Sequence, residues 1–141
     1  MRKKAIESEK RDITRTSLVI DEYNTNEIIG YFSLMIKSFN FASDVSVSSK
    51  KRLTGNKSAD NFVTILIAQL GRSDNYKGLF SGQEVLMQAL NNCLYIKELC
   101  GLKIVCVEYD DISNLNDFYI GNEFRILQVN PSRKILAYLK L

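Results

Sequence analysis

Two apolar runs of strand length, Phe62–Gln69 (FVTILIAQ) and Lys103–Tyr109 (KIVCVEY), bracket a single helical segment. No other feature of the chain constrains its fold as much. A run that is apolar on both alternating faces suits a strand covered on both sides. Two such strands joined by one helix predict a β-α-β crossover, right-handed by the chirality of twisted strands. The joining helix is marked at both ends. Ser81 opens it with Glu84 three residues on, the spacing of a capping box. Val85, Leu86, Ala89, Leu90, Cys93 and Ile96 or Lys97 recur at helical spacing, and Gly101 supplies a stop.

Around this centre the pattern turns to short strands. Ser17–Tyr23 and Glu27–Phe39 are β-branched and apolar, and Asn24-Thr25-Asn26 joins them with turn chemistry, predicting an antiparallel hairpin. Residues 40–61 carry serines, Gly55 and the cluster Lys50-Lys51-Arg52, and read as a loop insertion with room for one helical turn. Asp111–Tyr119 reads as a short helix capped by Asp110-Asp111, with Gly121 beyond its end. Glu123–Val129 and Ile135–Leu141 are two final strands around Asn130-Pro131-Ser132, which holds the only proline. At the front, residues 3–12 read as a charged helix whose only apolar positions are Ala5 and Ile6, so residues 1–16 form a charged N-terminal helical segment. The expected class is α/β with a mixed sheet, as a single domain over residues 1–141, a length that supports one core.

Composition removes several chemistries. The chain has no histidine, which excludes Ser-His-Asp and Cys-His catalysis, His-ligated zinc and His general bases. Cys93, Cys100 and Cys106 show no CxxC spacing, so no metal is expected, and their apolar neighbours predict buried thiols. No apolar run is long enough to span a membrane, and no apolar stretch follows the basic start as in a signal peptide, so a cytoplasmic location is expected. The net charge of +3 lies within the first sixteen residues, where six basic groups meet three acidic ones. The rest is neutral and announces no basic face across the domain. Lys50-Lys51-Arg52 with Lys57 reads either as a solvated loop or as an attractor for an acidic acceptor or an RNA backbone.

The stretch from Ile67 to Gln83 (IAQLGRSDNYKGLFSGQ) is where chemistry is expected. A strand runs into a glycine-bearing loop that feeds a capped helix. Unpaired N–H groups at such a helix start sit at the positive end of its dipole and can cradle a pyrophosphate. Arg72 and Lys77 add charge there. The spacing is neither a Walker motif nor a GxGxxG fingerprint.

This segment resembles the acetyl-CoA-binding motif of the GNAT superfamily of N-acetyltransferases, a splayed strand followed by an Arg/Gln-x-x-Gly-x-Gly/Ala loop and a long helix. Here the loop reads Asn75-Tyr76-Lys77-Gly78-Leu79-Phe80, with Gly82 at the next family glycine. A second segment, Leu115 to Phe124 (LNDFYIGNEF), resembles the family's A-x-x-F-Y-x-x-x-G-F motif. The resemblance covers roughly residues 15–141. Asn75 stands where the family has Arg or Gln, Phe80 replaces the second loop glycine, and Glu123 replaces the glycine before the last aromatic. Family members begin with a strand and one or two helices ahead of the hairpin; with about sixteen residues there, the chain is expected to be N-terminally shortened. Ser17–Tyr23 would then be an edge strand, open to pairing with a second copy in a homodimer.

The resemblance implies a GNAT-like fold with a mostly antiparallel sheet and a central β-α-β unit. It implies acetyl-CoA as cosubstrate and direct attack by a primary amine in a ternary complex. The backbone N–H of Leu70 would face the thioester oxygen, and the main chain of Gln69, Leu70, Gly71 and Arg72 would hold the thioester arm. Tyr76, Lys77, Gly78, Leu79, Phe80, Ser81, Gly82 and Gln83 would bind the pyrophosphate end. Tyr119 matches the phenol that protonates the leaving thiolate, beside a structural Phe118. Asn114 or Asn116 would bond the pantetheine arm. The general base stays open between Glu108, Asp110 and water. The acceptor is equally open: a small molecule, a protein or aminoacyl-tRNA. Two alternatives stand beside this reading. One is a degenerate CoA-binding or protein-interaction module. The other is the toxin of a toxin–antitoxin pair, acetylating aminoacyl-tRNA and held by an antitoxin partner.

Overall fold

A computed structural model describes residues 2–7, 15–21, 27–72 and 82–141 of the chain. Its elements run β1 (Arg2–Glu7), β2 (Arg15–Asp21), β3 (Glu27–Asn40), α1 (Val47–Thr54), β4 (Asn61–Arg72), α2 (Gly82–Cys100), β5 (Ile104–Tyr109), α3 (Ser113–Gly121), β6 (Arg125–Val129) and β7 (Ile135–Lys140). Among the described residues they form one seven-stranded sheet in the order β1-β2-β3-β4-β5-β7-β6. Every neighbouring pair is antiparallel except β4 and β5, which are parallel and joined through α2. The mixed sheet with a β-α-β unit at its centre is therefore as expected.

Strand alternation divides the core in two. On one face Val105, Val107 and Tyr109 of β5 meet Val85, Leu86, Ala89, Leu90 and Cys93 of α2 and Tyr119 of α3. Full burial of one large aliphatic side chain stabilises a fold by about 1.5–3 kcal/mol, so this stripe of α2 anchors the helix. On the other face Ile104 and Cys106 meet Phe39, Phe62, Leu136, Tyr138 and Leu53 of α1. Here the long β3–β4 arm folds over the sheet. Phe41 stacks on Phe62 with ring centroids 4.9 Å apart, and the Ala42 N–H donates to Gln128 Oε1 at 2.7 Å.

Several expectations are corrected. Arg2–Glu7 is a strand, not a helix, paired antiparallel with β2 from Arg2↔Ile20 to Glu7↔Arg15. A helix polar nearly all round has no face to bury, whereas the edge of β2 offers it a full ladder of hydrogen bonds, and tertiary context overrides propensity. The strand expected to be missing from the front of the sheet is therefore present. With β1 on one side and β3 on the other, β2 is no edge, and Ser17–Asp21 offers no open ladder to a second copy. Lysines on the new edge strand are a usual deterrent to further pairing.

The 40–61 insertion contains more than one helical turn. Ser46 caps α1 by accepting from the Ser49 N–H, and Gly55 ends it at φ +78° with its N–H on Lys51 O. Asp110-Asp111 do not cap α3. Ile112 is the N-cap without a side-chain bond, and Asp111 instead accepts from Asn116 Nδ2 at 2.8 Å. Finally, Cys93 and Cys106 are buried but Cys100 is exposed, because it lies in the last turn of α2, off the buried stripe. Among the described residues, no helix is long and apolar enough to cross a membrane.

Candidate functional site

The site begins with a break in β4. Ser33 of β3 pairs with Gln69, yet the next residue, Leu34, pairs with Ile67. Ala68 is left over as a β-bulge, which bends the strand and re-aims the residues beyond it. On the other side β4 pairs with β5 only over Ile65–Ile67, matched to Val105–Val107. β5 continues to Tyr109, but with β7 as its partner. From Ala68 to Arg72 the two central strands part. One edge of β4 then carries no strand among the described residues, leaving main-chain donors and acceptors to face an opening.

Close approach keeps the parted half of β4 against β3. Gly30 stands opposite Arg72, and a Cβ there would lie 2.6 Å from the Gly71 carbonyl oxygen and 2.7 Å from Val85. Only glycine lets β3 run this near to both β4 and the first turn of α2. Gln69 is exposed while Leu70 and Gly71 are half-buried, and Leu70 packs on the core. Gly82 opens α2 beside the Phe118 ring, with exposed Gln83 next to it.

Behind the opening stands an aromatic cluster. Tyr119 is 8% exposed. Its ring stacks on Tyr109 with centroids 4.7 Å apart and meets Phe118 and Phe124 edge-on at 5.0 and 5.6 Å. Such pairs fix a ring plane as well as burying area. Burial pushes the Tyr119 phenol pKa up, and the neighbouring Tyr109 adds to the shift. The Tyr109 phenol is also raised, first by burial and then by Asp111, and its hydroxyl is buried without a hydrogen-bond partner.

The remaining candidates separate clearly. Asn114 is exposed, whereas Asn116 is half-buried, with Oδ1 enclosed and unpartnered. Asp110 is exposed. Glu108 is half-buried and held, accepting from Asn130 Nδ2 at 2.5 Å and Ser132 Oγ at 3.3 Å. Asn75, Tyr76, Lys77, Gly78, Leu79, Phe80 and Ser81 lie outside the described residues, and of Arg72 only the main chain is described. Burial pushes the Cys106 thiol up to about 12, against a lowering hydrogen bond with Thr64 and a small further rise from Glu108. It is therefore a packing residue, not a nucleophile. Among the described residues, no group of three or more Cys, Asp or Glu is placed to hold a metal.

On α1, Lys50 lies 5.8 Å over the Phe41 ring, and Arg52 Nη1 donates to the Tyr138 hydroxyl at 3.3 Å. These contacts tie two members of the basic cluster to the arm and sheet, and Lys51 stays exposed. Sequence reasoning missed Gly30, Tyr109 and the Asn130 bond to Glu108. Tyr109 closes a run read only as a strand, and the other two depend on contacts between distant segments.

No protein-family model matches the chain, and no curated protein matches it. Solved structures do. AtaT complexed with acetyl-methionyl-tRNAfMet superposes with a TM-score of 0.73 at 17% identity, covering 93% of this chain and 73% of that one. AtaTR bound with AcCoA gives 0.67 at 18%, covering 93% and 72%. A tyrosine-to-phenylalanine mutant of KacT gives 0.68 at 15%, covering 91% and 71%. Parted central strands, a helix following the parted one and a tyrosine on the next short helix are the arrangement expected from the sequence motifs. The chain shares the fold of these solved structures, the GNAT-like fold expected from the sequence.

Proposed function

We propose that the chain is an acetyl-CoA-dependent N-acetyltransferase that moves the acetyl group directly to a primary amine. The observation that carries this reading is the parting of β4 and β5 at Ala68 with Tyr119 fixed behind it. An extended thioester arm can pair with the free edge of Gln69–Arg72 as a strand would. The Leu70 N–H then donates to the thioester oxygen as it gains negative charge, an interaction worth most in the transition state. The amine nitrogen attacks the carbonyl carbon, the C–S bond breaks, and the sulfur takes a proton from the Tyr119 hydroxyl. The surplus proton on the new amide nitrogen passes to solvent, which returns a proton to the Tyr119 phenolate. Gly82 and Gln83 open α2, where the pyrophosphate end of the cosubstrate would meet the helix start.

The neighbours support the cosubstrate and point to a finer reading. AtaTR is bound with AcCoA, AtaT is complexed with acetyl-methionyl-tRNAfMet, and AtaT mutant toxin is bound to the C-terminus of the antitoxin AtaR. In this finer reading the chain is itself a toxin acting on aminoacyl-tRNA and restrained by an antitoxin.

A thiol-release assay over a panel of amines, with aminoacyl-tRNA included, tests both levels. Tyr119→Phe should lower kcat by about 10²- to 10⁴-fold, the usual weight of a positioned proton donor, with acetyl-CoA affinity unchanged. The phenol donates only while protonated, that is below its pKa, and burial raises that pKa. Any alkaline loss of activity due to Tyr119 should therefore fall above pH ~10, the ordinary tyrosine value. Unchanged turnover in Tyr119→Phe removes it as the acid. Tight CoA binding with no transfer to any amine favours a binding module without turnover.

A further inference from the structure

The sheet has a notch that the acetyl-donor geometry does not use. β6 begins at Arg125 opposite Tyr138, while β7 runs on through Leu139 to Lys140 with β5 alone as its partner among the described residues. Lys140 pairs with Ile104, the first residue of β5, so the notch lies at the end of β5 away from the parting. Arg52 of α1 borders it on one side, and the turn from α3 into β6 borders it on another. The cavity there has a volume of about 690 Å³, and its polar lining is Arg52, Glu123, Arg125, Tyr138 and Lys140.

Positive charge is gathered in this notch and held in place. Arg52 Nη1 donates to the Tyr138 hydroxyl at 3.3 Å, and Lys140 Nζ donates to the Arg52 carbonyl at 3.2 Å. The second bond answers a carbonyl in the last turn of α1, a group the helix does not satisfy itself. Helix capping therefore explains the lysine but not the two guanidinium groups. Among the described residues none of Arg52, Arg125 and Lys140 has a carboxylate partner, although Glu123 lines the same cavity. Three cations against one carboxylate leave an excess of two positive charges. Tyr138 is 5% exposed. Its hydroxyl oxygen is taken up by Arg52, and its proton has no acceptor among the described residues. Like charges brought together without a counter-charge repel one another, and an anion among them removes that cost.

We infer that the notch binds a phosphomonoester of a small organic molecule, its phosphate among Arg52, Arg125, Tyr138 and Lys140 and its organic part against Ile120 and Leu139. A phosphomonoester carries a charge of about −1.5 to −2 near pH 7 and three acceptor oxygens. That matches an excess of two positive charges and donors arriving from α1, β6 and β7. A phosphodiester or a carboxylate brings one charge only. The cavity is of small-ligand size, larger than a bare phosphate needs, and Ile120 and Leu139 give the remainder an apolar wall. The assignment goes beyond the acetyltransferase reading and does not depend on it.

The test titrates the whole chain with phenyl phosphate, following the Nε–H NMR signals of Arg52 and Arg125 and the ring signals of Tyr138. Methyl phenyl phosphate, a diester with one charge, and phenol, with none, are the controls. Inorganic phosphate separates the free ion from the ester. Phenyl phosphate should shift all three sets of signals saturably and bind about tenfold more tightly than the diester or inorganic phosphate, and phenol should not bind. Affinity should fall as the pH drops below about 6, where the ester loses its second charge and the Arg and Lys side chains keep theirs. Arg125→Gln should weaken phenyl phosphate by about tenfold, the loss of one charge-assisted hydrogen bond. Tyr138→Phe leaves every charge in place and should still weaken it several-fold. Glu123 is exposed; Glu123→Gln removes the opposing carboxylate and should tighten binding several-fold, which keeps the inference testable if Tyr138→Phe folds poorly. No saturable binding, equal affinities for the monoester and the diester, or equal affinities for phenyl phosphate and inorganic phosphate each overturns the inference. So does an unchanged affinity in Arg125→Gln, in Glu123→Gln or in a folded Tyr138→Phe, the last because a merely basic surface would not sense the hydroxyl.

Discussion

The two halves of β4 share one strand and differ in almost every physical respect. Thr64, Ile65, Leu66 and Ile67 are all buried, flanked by β3 and β5. Thr64 Oγ1 even donates across to Ile104 O at 2.8 Å, tying β4 to the first residue of β5. After Ala68 the strand keeps β3 but loses β5, and Ala68 and Gln69 are exposed. The first half is held by packing on both faces and pairing on both edges. The second half is held on one edge, with its other main-chain groups available to a ligand. One extra residue separates a stabilising element from the segment proposed to bind the cosubstrate, so substitutions on either side of it should have different kinds of effect.

The largest contrast should come from trimming an apolar side chain on each side of the bulge. Ile65 is 0% exposed, and Ile65→Ala should destabilise the fold by about 2–5 kcal/mol through lost burial and a residual cavity. Leu70 is only half-buried, and Leu70→Ala should cost less than about 2 kcal/mol while raising KM for acetyl-CoA. Urea unfolding of both variants beside steady-state kinetics reads the difference. Equal destabilisation would mean that the second half is as much core as the first.

A smaller effect should follow from Gly30→Ala. The added methyl would meet the Gly71 carbonyl, a backbone atom that cannot swing aside, and Val85. Overpacking of this kind costs about 1–3 kcal/mol and shifts the backbone it presses on. Here that backbone is the parted half of β4, so acetyl-CoA binding should weaken by more than the stability loss alone explains. Gly71→Ala is the control. The nearest atoms to its methyl would be those of the Tyr31 ring, an exposed side chain free to move, and the change should leave stability nearly unchanged.

The central unit was legible because its signals are local. The apolar runs, the helical spacing of Val85 to Cys93 and the Gly101 stop need only neighbours along the chain, and Gly101 does take φ +80° with its N–H on Lys97 O at 2.8 Å. That Tyr119 lies on a short helix was legible through its motif. β1 was not, because its strand conformation comes from pairing with β2, which no periodicity in Arg2–Glu7 records. α1 escaped because its serines and lysines hide an eight-residue helix with one buried side chain, although Ser46 and Gly55 mark both ends. The hydrogen-bond relay from Asn40 O through Gln128 and Asn130 to Glu108 spans separations of up to 88 residues and depends on where the arm lands. Local physics thus shows the elements, while the bulge, the glycine contact and the relay belong to the assembled sheet.

The smallest expected effect concerns the turn that holds Tyr119 behind the parted strand. Glu123 sits at φ +73°, where an L-residue with a side chain is strained by about 1–2 kcal/mol and glycine is not. Its N–H donates to Ile120 O at 3.0 Å, and the next N–H, of Phe124, donates to Tyr119 O at 3.0 Å. The left-handed residue therefore reverses the chain so that Phe124 can cover the Tyr119 ring. Glu123→Gly relieves the strain but gives the unfolded chain more freedom, which offsets about 0.5–1 kcal/mol of the gain. A net stabilisation of about 0.5–1 kcal/mol should remain, seen as a rise in Tm of roughly 2–4 °C. Since the Glu123 side chain is exposed and the turn already has its final shape, kcat should not change. A fall in kcat with a rise in Tm would show that strain at this turn helps to set the position of Tyr119. The stable half of the molecule and the open half would then be mechanically linked through α3.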